Sequence, residues 1–582
     1  MRELFELNKY FIAYKKKLII GMIFILISNA AQIYIPLLLR DSIDGLQNNI
    51  SYAKLIEYAL LIFGAAIISG IFLFLKRQTI IVVSREIEFD IRQDFWSHLQ
   101  KLPLRFFQNR STGDIMAHAT NDISAVRMYV GPAVMYSVDT ITIFLIVIVI
   151  IFSISPSLTL YSLLPLPILS YLVYQLSKKI HERFTKIQEK FSELTTKAQE
   201  NFSGIRVVKS YVRENNEINS FTNLSKDYLD RNMDKVKIQA WFMPILFLIS
   251  GLSIIIVILV GGGMVINGEL TLGEVFAFIA YLSLLIWPVI AFGWVANIIQ
   301  QASASMKRLK TIMNEDVEIA DSEITNKLIN GINGTIEFKN VSFRFRDNLP
   351  YVLKNINLKI KKGSTVAVVG NTGVGKTALV NLISRLYDIS EGELLIDGYN
   401  VKSVPLNILR KNIGVVSQET FLFSDTLYNN ILYGAKNGNK ELVEKVSAIS
   451  KLEKDVESFP LGYNTILGER GITLSGGQKQ RACLARALAT DPKVLILDDS
   501  FSAVDTNTEE EILIRLKDFM KDRTSIIISH RISTVKDADK IIVLQDGKIV
   551  EEGIHDQLVA LNGIYADMHF KQLLEEELKE LK

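Results

Sequence analysis

Cysteine is almost absent: Cys483 is the single one in 582 residues, which excludes an intrachain disulfide and makes a reduced cytosolic thiol the expectation. Histidine is scarce as well, and the six present lack metal-ligand spacing. An excess of charge of one sign is missing too. Lys+Arg number 65 against 62 Asp+Glu, a net charge of +3 that is too small to point to a nucleic-acid partner. The first long apolar run has no small-residue cleavage site and is of spanning length, so it reads as a signal anchor rather than a cleaved signal peptide.

What the chain does have is apolar sequence, 49% of it, gathered before residue 300. Six runs stand out, roughly at 18–39, 55–75, 131–153, 157–175, 241–266 and 274–299. Each is near the ~20 residues that a helix needs to cross a bilayer core. Short loops rich in Lys and Arg stay in the cytoplasm, and Lys15-Lys16-Lys17 precedes the first run, so the N-terminus is expected inside. Loops at about 40–54, 154–156 and 267–273 are short with few basic residues and are expected outside. The charged stretches at about 76–130 and 176–240 then read as helices projecting into the cytoplasm, and six crossings return the C-terminal half to the same side.

That half carries the chemistry. Gly370-Asn371-Thr372-Gly373-Val374-Gly375-Lys376-Thr377 fits the P-loop pattern behind an apolar strand, Thr365 to Val369. Its backbone N–H groups are expected to cradle phosphates, with Lys376 on the β- and γ-phosphates and Thr377 on magnesium. A P-loop by itself specifies an NTPase and no more. Further on, Leu474-Ser475-Gly476-Gly477-Gln478 resembles the signature sequence of ABC ATPases. Behind six apolar spans, that pairing makes the chain similar to an ABC exporter half-transporter.

The resemblance implies an α-helical membrane domain at 1–315, a linker at 316–334 and an α/β P-loop ATPase domain at 335–582, using ATP and Mg2+. Val494 to Asp498 is similar to a Walker B strand whose terminal carboxylate holds magnesium. Gln418 resembles the Q-loop glutamine near that metal, and His530 the switch histidine that contacts the γ-phosphate. Phe345 stands where the family usually has a tyrosine stacked on adenine, and Ala378 completes the phosphate-binding run. Ser475, Gly476, Gly477 and Gln478, with Asp505 of the D-loop Ser502-Ala503-Val504-Asp505, are implied to meet nucleotide across a dimer interface. Glu469 matches the exporter X-loop. Coupling helices are expected at Ser111 to Met116 with Asn121-Asp122, and at Gly204 to Tyr211.

The departure from the family pattern is Asp499. A glutamate ordinarily follows the Walker B acid and polarises the attacking water, and an aspartate is about 1.5 Å shorter. Misplacement near 1 Å costs on the order of a hundredfold in rate. The expectation is an impaired site in this chain, a partner half-transporter that supplies a glutamate, and an intact signature serving the opposite site; a homodimer that works slowly through Asp499 is the alternative. The function implied is ATP-driven export of hydrophobic small molecules across the cytoplasmic membrane, with a lipid flippase or an ATP-gated, channel-like regulator as alternatives.

Within the spans, Asp139 is costly in hydrocarbon by at least ~2.5 kcal/mol unless it finds a partner. It is either a cation or proton site or a structural hydrogen-bonding residue. Trp287, Trp294, Phe292 and Tyr281 either line an apolar cavity or pack, and Pro288 is expected to bend the sixth span. The charged stretch Phe570 to Lys582 reads as a solvated terminal helix.

Overall fold

The computed structural model describes residues 2–435, 437–468, 471 and 473–580. They form two compact units, Met1–Leu99 with Thr112–Glu315, and Gln100–Ser111 with Asp316–Lys582.

The first unit holds six helices long and apolar enough to cross a membrane: Lys15–Gln47, Tyr52–Leu99, Thr112–Ile154, Pro156–Ser203, Glu214–Ile266 and Leu272–Met313. Each contains one of the six expected runs, and most extend well beyond it. Local sequence sets their ends. Ser155 caps the fourth helix by accepting from the Leu158 N–H at 3.3 Å, with Pro156 at the first helical position, so the turn from the third span is a single residue. Thr271 and Glu274 form a reciprocal capping box at the start of the sixth. There Asp44 accepts from the Gly273 N–H at 2.8 Å, and a Cβ on Gly273 would come within 2.3 Å of the Arg40 carbonyl oxygen. Glycine is therefore what lets the C-terminal end of the first span meet the N-terminal end of the sixth.

Asp139 has found its partner. Lys76 of the second span donates to it at 2.6 Å, with both side chains nearly buried, and Asn29 of the first span donates to the Asp139 carbonyl oxygen at 3.4 Å. The residue thus joins three helices. Tyr281 is fully buried and donates to the Ile33 carbonyl oxygen at 2.9 Å, so it packs. Trp287 and Phe292 are exposed on this chain, and Trp294 stands edge-on to Tyr136 at 5.2 Å. Pro288 lies inside an unbroken helix. At the N-terminal end, Glu86, Asp90 and Asp94 recur every four residues and accept from Lys17, Tyr14 and Tyr10 at 2.6, 2.9 and 2.8 Å, a ladder along one helix face.

The second unit contains ten strands: β1 (Ile336–Phe343), β2 (Leu353–Ile360), β3 (Thr365–Val369), β4 (Glu391–Ile396), β5 (Tyr399–Asn400), β6 (Ile413–Val416), β7 (Val494–Asp498), β8 (Thr524–Ile528), β9 (Lys540–Gln545) and β10 (Lys548–Gly553). One antiparallel sheet has the order β2-β1-β4-β5, and a six-stranded sheet the order β10-β9-β3-β8-β7-β6, parallel except at β10. Its central strands are apolar over most of their length because both faces are covered. Ala367, Val369, Leu495, Leu497 and Ile527 enter one core, and Val366, Val368, Val494, Ile496, Ile526 and Ile528 the other.

Residues 316–334 carry no helix or strand, and are pinned at Asp321, which accepts from the Leu406 N–H at 2.9 Å, and at Asn333 and Thr335, whose N–H groups go to Asp397. The segment between the second and third spans belongs to this unit in an unexpected place. Leu104 packs on the β1 core, Gln108 accepts from the Tyr387 hydroxyl at 2.6 Å, Arg346 donates to Asn109, and Arg105 pairs with Glu318. The docked residues are therefore 100–111, upstream of the Ser111 to Met116 stretch singled out from sequence. Docking of 100–111 uses an apolar side chain and two amides. The helix Ile205–Ser210 forms within the first unit, with Val207 and Tyr211 exposed.

Candidate nucleotide-binding site

Four neighbouring parallel strands end at one edge of the six-stranded sheet, and each delivers an expected residue: β3 the loop 370–377, β8 His530, β7 Asp498 and Asp499, and β6 Gln418. Ligands collect at the carboxyl ends of such strands because the loops there are free to form a cradle.

The loop is shaped by glycines. Gly370 and Gly375 have φ of 146° and 103°, values that L side chains rarely adopt. A Cβ on Gly370 would also lie 2.4 Å from the Leu544 carbonyl oxygen, and one on Gly375 would lie 2.9 Å from Leu353. Gly375 leads directly into the helix Lys376–Ile383, whose first N–H groups have no intrahelical acceptor and point at the loop. Asn371, Thr372 and Gly373 are exposed, Val374 and Gly375 are half-buried, and Ala378 packs into the core through its methyl group. Lys376 is buried, its ammonium donating to the carbonyl oxygens of Gly370 at 2.7 Å and Asn371 at 2.9 Å. Burial pulls its pKa down, against the opposing pull of Asp498 and Asp499.

Asp498 is 3% exposed. Burial pushes its carboxyl above the usual range and Asp499 pushes the same way, while a hydrogen bond with Thr377 and the charges of Lys376 and His530 oppose the shift. A hydroxyl and a carboxylate side by side are an oxygen-only donor set, suited to a hard cation such as Mg2+ that keeps its other positions for water and phosphate. These residues therefore fit the ion that the loop implies. Asp499 is half-buried, in the left-handed region at φ 47°, and its N–H donates to the Ile528 carbonyl oxygen at 2.9 Å. Gln418 is exposed two residues past β6.

Phe345 lies in the turn between β1 and β2. Its ring meets Phe343 and Tyr387 edge to face at 5.0 and 5.3 Å, leaving it 39% exposed. That places an aromatic surface at the rim, held by two others.

The signature residues form a separate cluster. Ser475 caps the helix Gly476–Ala489 in a capping box with Gln478, whose amide also donates to Asp455 at 3.0 Å. Gly477 is needed because a Cβ there would sit 2.9 Å from the Ala503 carbonyl oxygen. Gln480 completes the clamp, accepting from the Ala503 N–H and donating to the Ser502 hydroxyl, both at 2.9 Å. Asp505 caps the next helix by accepting from the Thr508 N–H at 2.9 Å, a bond that lowers its carboxyl pKa. Among the described residues, no hydrogen bond or ion pair joins 475–478 to 370–377. Glu469 lies outside the described residues.

Sequence reasoning missed Tyr387, Asp455 and Gln480. Each acts on a residue that is distant in the chain or merely supports a motif, and no local pattern marks it.

Two family models match the chain: ABC transporter transmembrane region over residues 18–289, and ABC transporter over residues 353–502. The chain is 36% identical over 582 residues, 100% of both chains, to the multidrug resistance-like ATP-binding protein MdlA of Buchnera aphidicola subsp. Schizaphis graminum. It is 35% identical over 565 residues, 96% of this chain and 93% of the relative, to the ATP-dependent lipid A-core flippase of Syntrophus aciditrophicus. Among solved structures, one of a bacterial Atm1-family ABC exporter with ATP bound aligns with a TM-score of 0.79 at 26% identity, covering 96% of this chain and 98% of that one.

Proposed function

The chain belongs to the ABC transporters, a multi-pass membrane region fused to an ABC ATPase, and from that premise we propose that it exports hydrophobic or amphipathic small molecules as one half of a heterodimer. The observation that carries the coupling of ATPase to transport is the segment 100–111. This stretch of the membrane region's chain is built into the ATPase unit through Leu104, Gln108 and Asn109. A displacement of the ATPase unit is then delivered directly to the helices ending at Leu99 and starting at Thr112.

In this reading both termini are cytoplasmic, and the functional boundaries are 1–315, 316–334 and 335–582. The loop 371–378 binds the triphosphate, Phe345 stacks on the base, and Thr377, Asp498 and Gln418 hold magnesium, directly or through water. Magnesium, when bound, neutralises charge on the β- and γ-phosphate oxygens. Lys376 adds a second positive charge there, and His530 contacts the γ-phosphate. Asp499 is the residue that would orient the attacking water, and its short side chain impairs the step. Ser475 to Gln478 and Asp505 then complete the partner's site, where a glutamate does the work. Nucleotide gripped across that boundary favours the closed dimer, and hydrolysis removes the preference.

Co-expression and reconstitution test this. The chain with a half-transporter partner should take up lipophilic dyes into inside-out vesicles in an ATP-dependent way. Ion conductance without uptake would overturn export in favour of gating. A second reading, lipid flipping, has support in the similarity to a lipid A-core flippase. Movement of head-group-labelled lipid between leaflets, with no dye uptake, would favour it.

A further inference from the structure

The C-terminal helix, Ile564–Glu580, is anchored far more firmly than a solvated tail. Glu551 of β10 accepts from the backbone N–H groups of Ile564 at 2.6 Å and Tyr565 at 3.1 Å, a carboxylate placed on the positive end of the helix. Gly563 makes room for it, since a Cβ there would lie 2.2 Å from a Glu551 oxygen. Tyr565 is fully buried, and its hydroxyl meets His555 Nδ1 at 2.7 Å. Seven residues on, two turns along the same face, comes Gln572.

Its amide closes on the turn that carries His530. Gln572 Oε1 accepts from the Ile532 N–H at 2.7 Å, and Nε2 donates to the His530 carbonyl oxygen. Ile532 opens a short helix, so its N–H has no intrahelical acceptor, and His530 lies outside any strand ladder. Gln572 thus satisfies two backbone groups that local structure leaves over. The other side of the turn is also held: Ser529 accepts from the Arg531 N–H at 3.0 Å, and the Arg531 and Thr534 side chains both bond the buried carboxylate of Glu509.

We propose that Gln572 is a positioning residue for His530: through it, the anchored C-terminal helix sets the backbone of the switch turn and hence where the imidazole meets a γ-phosphate. The proposal rests on the reading of His530 given above. It assigns the terminal helix a part in nucleotide discrimination that its charged, solvent-like sequence conceals.

The test uses the full chain in nanodiscs with Mg2+ and either ATP or ADP. Gln572→Leu removes both bonds, whereas Gln572→Glu keeps the acceptor for Ile532 and loses the donor to His530. Loss of one hydrogen bond of this kind is worth ~10-fold. Gln572→Leu should therefore speed hydrogen exchange at the Ile532 amide ~10-fold and lower the preference for ATP over ADP by ~5-fold or more, with little change in Tm. Gln572→Glu should keep that amide protected and still lose preference. Unchanged exchange in Gln572→Leu, or equal weakening of ATP and ADP, would overturn the proposal. His530→Ala separates the two levels. If it lowers the preference and Gln572→Leu does not, positioning by Gln572 alone is wrong; if it leaves the preference unchanged, the role of His530 falls and the proposal with it.

Discussion

Asp139 in the membrane unit and Asp498 in the ATPase unit are both removed from water, with side-chain exposure of 14% for the first and overall exposure of 3% for the second. The first faces an ammonium at 2.6 Å. The second has a hydroxyl, a second carboxylate, and a lysine whose ammonium donates instead to two loop carbonyl oxygens. Charge is settled internally where the residue joins helices, and left unsettled where a cation is to be held. An unbalanced buried carboxylate is costly to folding, and such groups cluster at functional sites, so the two aspartates differ in what their surroundings leave for a ligand to do.

The largest test of the contrast is Asp139→Ala. It strands Lys76 without a counter-charge and should cost about 3–5 kcal/mol, seen as a fall in Tm of the purified protein. Lys76→Met combined with Asp139→Leu should recover most of that loss, and failure to recover would mean the aspartate does more than balance the lysine. Next in size, Lys376→Ala removes the positive charge opposite Asp498 and should weaken ATP binding by ~100-fold, read with a fluorescent nucleotide. Asp499→Glu restores the longer reach and should raise hydrolysis at this site by ~10- to 100-fold when a competent signature is supplied, measured as phosphate release.

The smallest effect is expected on the stability of the nucleotide-free protein, which Asp498→Asn should raise slightly at neutral pH by removing a buried charge. The sign follows from the direction of the shift. The folded carboxyl has a pKa above its ordinary 3.8, so the folded protein holds the extra proton between that value and the raised one. Stability of the nucleotide-free chain therefore falls as pH rises through this window. Affinity for magnesium-nucleotide is lost as pH falls through it, at a higher pH than an ordinary carboxylate would give. Asp498→Asn should flatten both dependences in thermal scans.

The six spans were legible because a bilayer demands a run of apolar residues that nothing else in a chain this size requires. The loop 370–377, Asp498 and His530 could be singled out, and do lie after neighbouring strands, because the first is a short local pattern and the others are polar residues at or just past the ends of apolar strands. Pairings across the chain were not. Nothing local ties Lys76 to Asp139, 63 residues away, or Gln108 to Tyr387, and amphipathic charge at Phe570 to Lys582 looks the same whether Gln572 points out or in. Docking through residues 100–111 was not read for the same reason: Leu104, Gln108 and Asn109 are an unremarkable triplet until a surface meets them. The α/β architecture followed from alternating strand and helix patterns, whereas the strand order did not, since hydrogen-bonded neighbours such as β3 and β8 are far apart in sequence.

Gln480 has a mechanical consequence. Its amide donates to the Ser502 hydroxyl at 2.9 Å, and that hydroxyl donates to the Asp499 carbonyl oxygen at 3.2 Å, so two consecutive hydrogen bonds tie the helix capped by Ser475 to the backbone of Asp499. An engineer who retunes either end inherits a change at the other, and the two cannot be optimised one at a time.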